Sequence, residues 1–248
     1  MSLSWSQIFR LGLVQMALGS IVVLTTSTLN RLMVVEFSLP ALLPGALVGL
    51  HYGIQLSRPR WGFRSDVGGN RTRWIIGGMM TLALGGVGAT YAVTLFAVHY
   101  WLALIASIVS YGLIGIGVGA SGTSLLALLA TATAADRRAA AATITWLMMI
   151  FGIALTAGVA GQFLDPYSPQ RLMTVVSVIA LLAILVTVLA IWNIERAVSS
   201  RASEPNNTFQ EALRELWAES KTRNFTIFVF LSMNVYFMQE LILEPYAG

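Results

Sequence analysis

Long, uninterrupted apolar runs constrain this chain more than any other feature it has. Hydropathy marks seven of them, near Leu11 to Leu29, Ala41 to Leu56, Trp74 to Ala97, Trp101 to Ala130, Ala141 to Leu164, Leu172 to Trp192 and Phe225 to Leu243. A helix needs roughly 20 apolar residues to cross a hydrocarbon core about 30 Å thick. In lipid the backbone must satisfy its own hydrogen bonds, which leaves helices or closed barrels, and the residue alternation of a barrel is absent. The expectation is an all-α, polytopic membrane helix bundle in which each run crosses once. Composition agrees, because only 10% of the 248 residues are charged, against about 25% in a soluble domain. The first run follows Arg10 as a signal peptide would, but it lacks a small-residue cleavage site and continues to Asn30-Arg31, so it reads as a retained helix.

Charge sets the expected orientation, since short Lys/Arg-rich loops stay on the cytoplasmic side. Thirteen of the 15 Lys and Arg residues fall on one side: Arg10, the stretch Arg58 to Arg73, Arg137-Arg138 and the segment Arg196 to Arg223. Arg31 and Arg171 fall on the other. The amino terminus is therefore expected in the cytoplasm, and the net charge of +4 is a topology signal, with no nucleic-acid partner implied. With no cysteine in the chain, thiol catalysis, zinc fingers and disulfide frameworks are excluded.

Three parts follow from this pattern: residues 1–193 as a six-helix bundle, 194–223 as a cytoplasmic linker, and 224–248 as the first helix of a further, incomplete half. Within the linker, Thr208 and Glu211 stand at capping-box spacing. Phe209, Leu213, Leu216 and Trp217 then form an apolar stripe opposite Glu211, Arg214 and Glu215, as in a helix lying on a membrane surface or against the bundle. A solvated linker is the alternative. Glycines crowd the third and fourth runs, and Gly115 and Gly119 have the small-xxx-small spacing of closely packed helices.

Gly62, Asp66, Gly69 and Arg71 stand in a Gly-x-x-x-Asp-x-x-Gly-x-Arg frame after the second run. This frame resembles the cytoplasmic loop signature of the major facilitator superfamily, in which the carboxylate meets a helix amino terminus and nearby arginines. The resemblance implies a conformational role for Asp66 and a fold equal to the amino-terminal six-helix half plus the seventh helix. Gly161-x-x-x-Asp165 echoes the frame, as inverted three-helix repeats would. A twelve-helix fold would need five further spans, so the chain is expected to be a fragment.

Three further stretches narrow the family: Leu29-Asn30-Arg31-Leu32-Met33-Val34-Val35-Glu36, Arg60-Trp61-Gly62-Phe63-Arg64-Ser65-Asp66, and Met238 to Gly248 with Gln239-Glu240 and Glu244-Pro245-Tyr246. Together they resemble the PucC/LhaA family of phototrophic bacteria, and His51 to Arg60 is similar to its branch labelled bacteriochlorophyll synthase. The resemblance implies a non-enzymatic assembly factor for light-harvesting complexes. Its candidate cofactor is bacteriochlorophyll, its partners are membrane lipid, antenna polypeptides and pigment-synthesis proteins, and its place is the bacterial intracytoplasmic photosynthetic membrane. A small-molecule transporter and a membrane enzyme of bacteriochlorophyll synthesis are the alternatives. The enzyme reading is disfavoured by the acids visible here: Asp66, Asp136 and Asp165 each stand alone, whereas diphosphate chemistry through magnesium needs several oxygens close together.

Charges and amides at membrane depth are the remaining candidates. Asn30, Arg31 and Glu36 follow the first helix, and Gln239, Glu240 and Glu244 follow the seventh; the expectation is that Arg31 pairs with one of those acids. His51 is the one histidine inside a span and the candidate pigment ligand, a hydrogen-bonded packing role being the alternative.

Overall fold

A computed structural model of the chain describes residues 2–67, 70–197 and 208–247, apart from the side chains of 67, 196, 197, 234 and 236–247. Among the described residues every regular element is helical. The helices are α1 (Trp5–Val23), α2 (Leu29–Val35), α3 (Leu42–Gln55), α4 (Arg58–Val67), α5 (Arg71–Leu95), α6 (Tyr100–Ala132), α7 (Arg138–Phe163), α8 (Pro169–Ile191), α9 (Ile194–Ala197), α10 (Phe209–Ala218) and α11 (Ser220–Ala247). By contacts the chain divides into two units, Met1–Ser203 and Glu204–Gly248.

Among the described residues five stretches are long and apolar enough to cross a membrane: Trp5–Val35, Arg71–Leu95, Tyr100–Ala132, Ala135–Phe163 and Pro169–Ile191. The chain is a polytopic helical membrane protein, but its elements differ from the hydropathy reading in three places. The first helix begins at Trp5, six residues earlier than expected, because the Ser4 hydroxyl accepts from the Gln7 amide while the Gln7 side chain accepts from the Ser4 amide. α3 has 14 residues, about 21 Å at 1.5 Å per residue, which falls short of the hydrocarbon thickness. The basic stretch after it, expected as a loop, contains α4. Hydropathy misses α4 because three arginines and an aspartate make the segment polar on average.

α1 passes through a π segment, Leu24–Thr28, before α2 continues the same stretch. Thr25 and Thr26 hydroxyls both bond back to the Val22 carbonyl, at 2.9 Å each, and the fully buried Tyr111 of α6 donates to the Thr25 carbonyl at 2.8 Å. A wider turn disturbs the regular ladder, and here side chains occupy the carbonyls it disturbs.

Within the first unit α5 lies along α6, α1 packs on α7 and α8, and α3 packs on α6. Missing side chains make the closest approaches possible: a Cβ on Gly117 would sit 2.4 Å from the Leu82 amide nitrogen, and one on Gly152 2.5 Å from the Met16 carbonyl oxygen. Without a hydrophobic force between helices in lipid, such backbone approach supplies the dispersion contact that holds them. Gly115 is used within the bundle, where an added Cβ would meet the His51 carbonyl at 2.8 Å, and Gly119 faces the Trp61 ring. Arg10 closes the α1–α8 contact by donating to the carbonyls of Leu189 and Trp192, at 3.2 and 2.6 Å. Those carbonyls belong to the negative end of α8, where a cation is favoured.

Candidate functional site

The turn from α4 to α5 carries the densest ionic and hydrogen-bonded cluster among the described residues. Asn70 starts α5 by accepting the Arg73 amide at 3.3 Å. Arg71, the first residue of α5, reaches back to Asp66 on α4, with Nη2 at 2.6 Å and Nε at 3.0 Å from the same carboxylate oxygen. Its third nitrogen, Nη1, donates to the Thr131 hydroxyl at 2.5 Å, near the end of α6. Glu195 of α9 then accepts the backbone amides of Arg71 and Thr72, at 2.7 and 2.9 Å, one on each carboxylate oxygen.

Each contact has a local cause. Gly62 lets α4 approach α6, since a Cβ there would stand 3.2 Å from the Thr123 methyl. Asn193, at φ 60°, takes the left-handed conformation that asparagine tolerates, and the chain turns there from α8 into α9. The Glu195 carboxylate then sits where the unpaired amides and the dipole of α5 both favour an anion. The Arg71 side chain is 13% exposed and that of Asp66 52%, so the arginine is largely desolvated while the carboxylate still faces solvent. Together these groups hold α4, α5, α6 and α9 in one arrangement, and a change in any of the four would be felt by the others.

Of the loop frame predicted from sequence, Gly62, Asp66 and Arg71 come together here, and Gly69 lies outside the described residues. Glu195 and Thr131, which sequence reasoning did not single out, complete the cluster. An acid directly after an apolar helix was the available signal for Glu195; Thr131 offers none beyond being polar at a helix end.

His51 is 1% exposed. Its Nε2 stands 2.7 Å from the Gln55 amide nitrogen, which makes that ring nitrogen the acceptor. The Gln55 oxygen in turn accepts from Arg58. The ring is thus buried with Nε2 engaged by Gln55, and Nδ1 is the nitrogen left without a partner among the described residues.

Asn30 is half-buried, while Arg31 and Glu36 are exposed and form no ion pair among the described residues. Glu36 lies near Tyr167, whose hydroxyl is pushed up by burial and then by that carboxylate; Phe37 meets the Tyr167 ring edge-on at 6.5 Å. Gln239, Glu240 and Glu244 are on α11, but their side chains, and with them the expected pairing to Arg31, lie outside the described residues.

Spanning helices welded through glycine, with a charged clasp at one end, define a multi-pass helical membrane protein. Residues 28–248 match the family model described as PUCC protein, and the chain belongs to that family. It is 63% identical, over its whole length, to the bacteriochlorophyll synthase 44.5 kDa chain of Rhodobacter capsulatus, covering 58% of that protein. It is 28% identical to Protein PucC of Rhodobacter capsulatus and 27% to Protein PucC of Cereibacter sphaeroides, over 98% of this chain and 56% of each relative. The chain thus spans less than three-fifths of the curated relatives it matches. No solved structure matches it.

Proposed function

We propose that this chain belongs to a membrane assembly factor for photosynthetic light-harvesting complexes that handles bacteriochlorophyll while antenna polypeptides insert. In this reading it is a non-enzymatic protein of the bacterial inner membrane, with a cytoplasmic amino terminus and the helix plan of a major-facilitator half. The observation that carries it is membership of the PUCC family over residues 28–248, joined to a 63% identical relative whose name refers to bacteriochlorophyll. The structure adds support through the Asp66–Arg71–Thr131–Glu195 cluster. It ties helix ends to one another and suits a latch on conformational change more than a reaction centre. Its partners in this reading are lipid, antenna polypeptides and pigment-synthesis proteins.

A second reading, a membrane enzyme of bacteriochlorophyll synthesis, is favoured by the name of that same relative. Deletion of the gene separates the two. An assembly factor leaves bacteriochlorophyll in the membrane but removes the antenna absorption band, whereas loss of an enzyme removes the pigment and accumulates its precursor. For the pigment claim the measurement is an absorption spectrum of the protein purified in gentle detergent. A colourless preparation, together with normal antenna assembly in the deletion strain, overturns the proposal.

A further inference from the structure

Four arginines at the α3–α4 end of the first unit have no acidic partner among the described residues. Arg58, Arg60, Arg64 and Arg73 are exposed, and the ion pairs among the described residues are Arg71 with Asp66 and Arg137 with Asp136. Arg58 is hydrogen-bonded to Gln55 and lies toward α6, its Cγ 3.8 Å from where a Cβ on Gly119 would stand; the side chains of Arg60, Arg64 and Arg73 make no ion pair among the described residues.

α4 separates Arg60 and Arg64 from the bundle by its helical period. Trp61, Gly62 and Ser65 turn toward the protein: Trp61 stands against Gly119, Gly62 against Thr123, and Ser65 is fully buried. Arg60 and Arg64, four residues apart, fall on the other side one turn from each other. Trp61 also donates to the Ser57 hydroxyl at 2.9 Å and stacks at a tilt on Trp74, with ring centroids 5.7 Å apart. That contact brings the first turn of α5, and Arg73 with it, alongside α4.

Like charges one helical turn apart repel, so this face is stable in proportion to the anion it faces. A phosphodiester accepts from guanidinium groups with matched, charge-assisted geometry. α4 lies between the apolar α3 and the spanning helix α5, at the end of a span, so the anions at its depth are lipid headgroups. Clusters of cations immediately beside a span are the usual form of anionic-lipid recognition.

We infer that the outward face of α4 is a binding site for an anionic phospholipid, whose phosphodiester is held between Arg60 and Arg64 with Arg73 alongside. The site does not depend on the pigment reading. Because α4 also carries Asp66, the bound headgroup braces the helix from which the ionic cluster is built.

The test is native mass spectrometry of the full chain taken from neutral-detergent micelles holding equal amounts of phosphatidylglycerol and phosphatidylcholine. Wild type is expected to retain phosphatidylglycerol preferentially. R60Q/R64Q is expected to lose that preference by roughly tenfold, R60K/R64K to keep most of it, and R137Q at another loop to leave it unchanged. Equal retention by R60Q/R64Q and wild type overturns the proposal, as does displacement of the lipid by millimolar inorganic phosphate, which would mark a free-anion site. If the double variant does not fold, the thermal shift of wild type decides: phosphatidylglycerol must raise the melting temperature, phosphatidylcholine must not, and R64Q alone must reduce the shift.

Discussion

Arg71 serves two partners, Asp66 and Thr131, through one guanidinium and a third, Glu195, through its backbone amide, so its removal leaves more groups unpaired than any other change at the α4–α5 turn. R71Q is expected to destabilise the protein by about 1–2 kcal/mol, a figure discounted for the solvent that still reaches Asp66, and to abolish antenna assembly in a complementation assay. D66N should lower the melting temperature less, because that carboxylate is half exposed, yet harm assembly as much if the cluster acts as a latch. R71K tests the fork: it keeps the charge and loses the simultaneous contact with Asp66 and Thr131. Buried Tyr111 belongs to the same scale. Y111F leaves the Thr25 carbonyl of the π segment without its donor and is expected to cost about 1–2 kcal/mol in thermal unfolding. The loop frame around Asp66 was legible because its members lie within ten residues of one another. Glu195 and Thr131 were not, because they join from 124 and 60 residues away, a separation that no local pattern encodes.

At the scale of elements, glycines that look alike in sequence divide into two kinds. Gly117 on α6 has Leu82 backbone where its Cβ would be, whereas Gly49 on α3 has nothing within 4 Å. G117A is therefore expected to destabilise by about 3 kcal/mol, since backbone cannot move aside as a side chain can. G49A should be neutral or stabilising by about 0.5–1 kcal/mol, because it relieves the entropy of glycine in a helix. Paired melting curves in one detergent check both. The capping box of α10 was readable from Thr208 and Glu211, and it forms, with the Thr208 amide donating to the Glu211 carboxylate at 2.7 Å. That amide, and then the Thr208 hydroxyl, hold the carboxyl below the usual carboxylate range. A lowered folded pKa means that the cap's contribution is fully present above the ordinary carboxylate pKa and is lost as pH falls through the lowered value. Carbon-detected NMR titration of Glu211 should show the depression in wild type and its disappearance in T208A. The short run Ala41 to Leu56 already matched α3 to within a residue at each end, whereas the helicity of α4 was hidden because a sliding average sees only how apolar a segment is, and α4 is polar.

For the whole molecule, the proposed orientation is open to a direct check, because the chain has no native cysteine. Single cysteines at Arg60 and at Gln170 should be labelled from opposite faces of intact inverted vesicles, the first from the face that was cytoplasmic. Labelling of both from one face would remove the cytoplasmic amino terminus and the latch assignment together. The class of the molecule, a polytopic helical membrane protein, was contained in the sequence alone, as were the places of its long helices and the resemblance to its family. Apolar length and the need to satisfy backbone in lipid are local quantities, readable along the chain. Which helix meets which, which glycines those contacts occupy, that Glu195 closes on the amides of α5, and that Arg60 and Arg64 are turned away from the bundle were decided only by the tertiary structure. Those facts depend on distances between segments far apart in the chain, and helix packing in lipid is set by shape at close range, which hydropathy does not record.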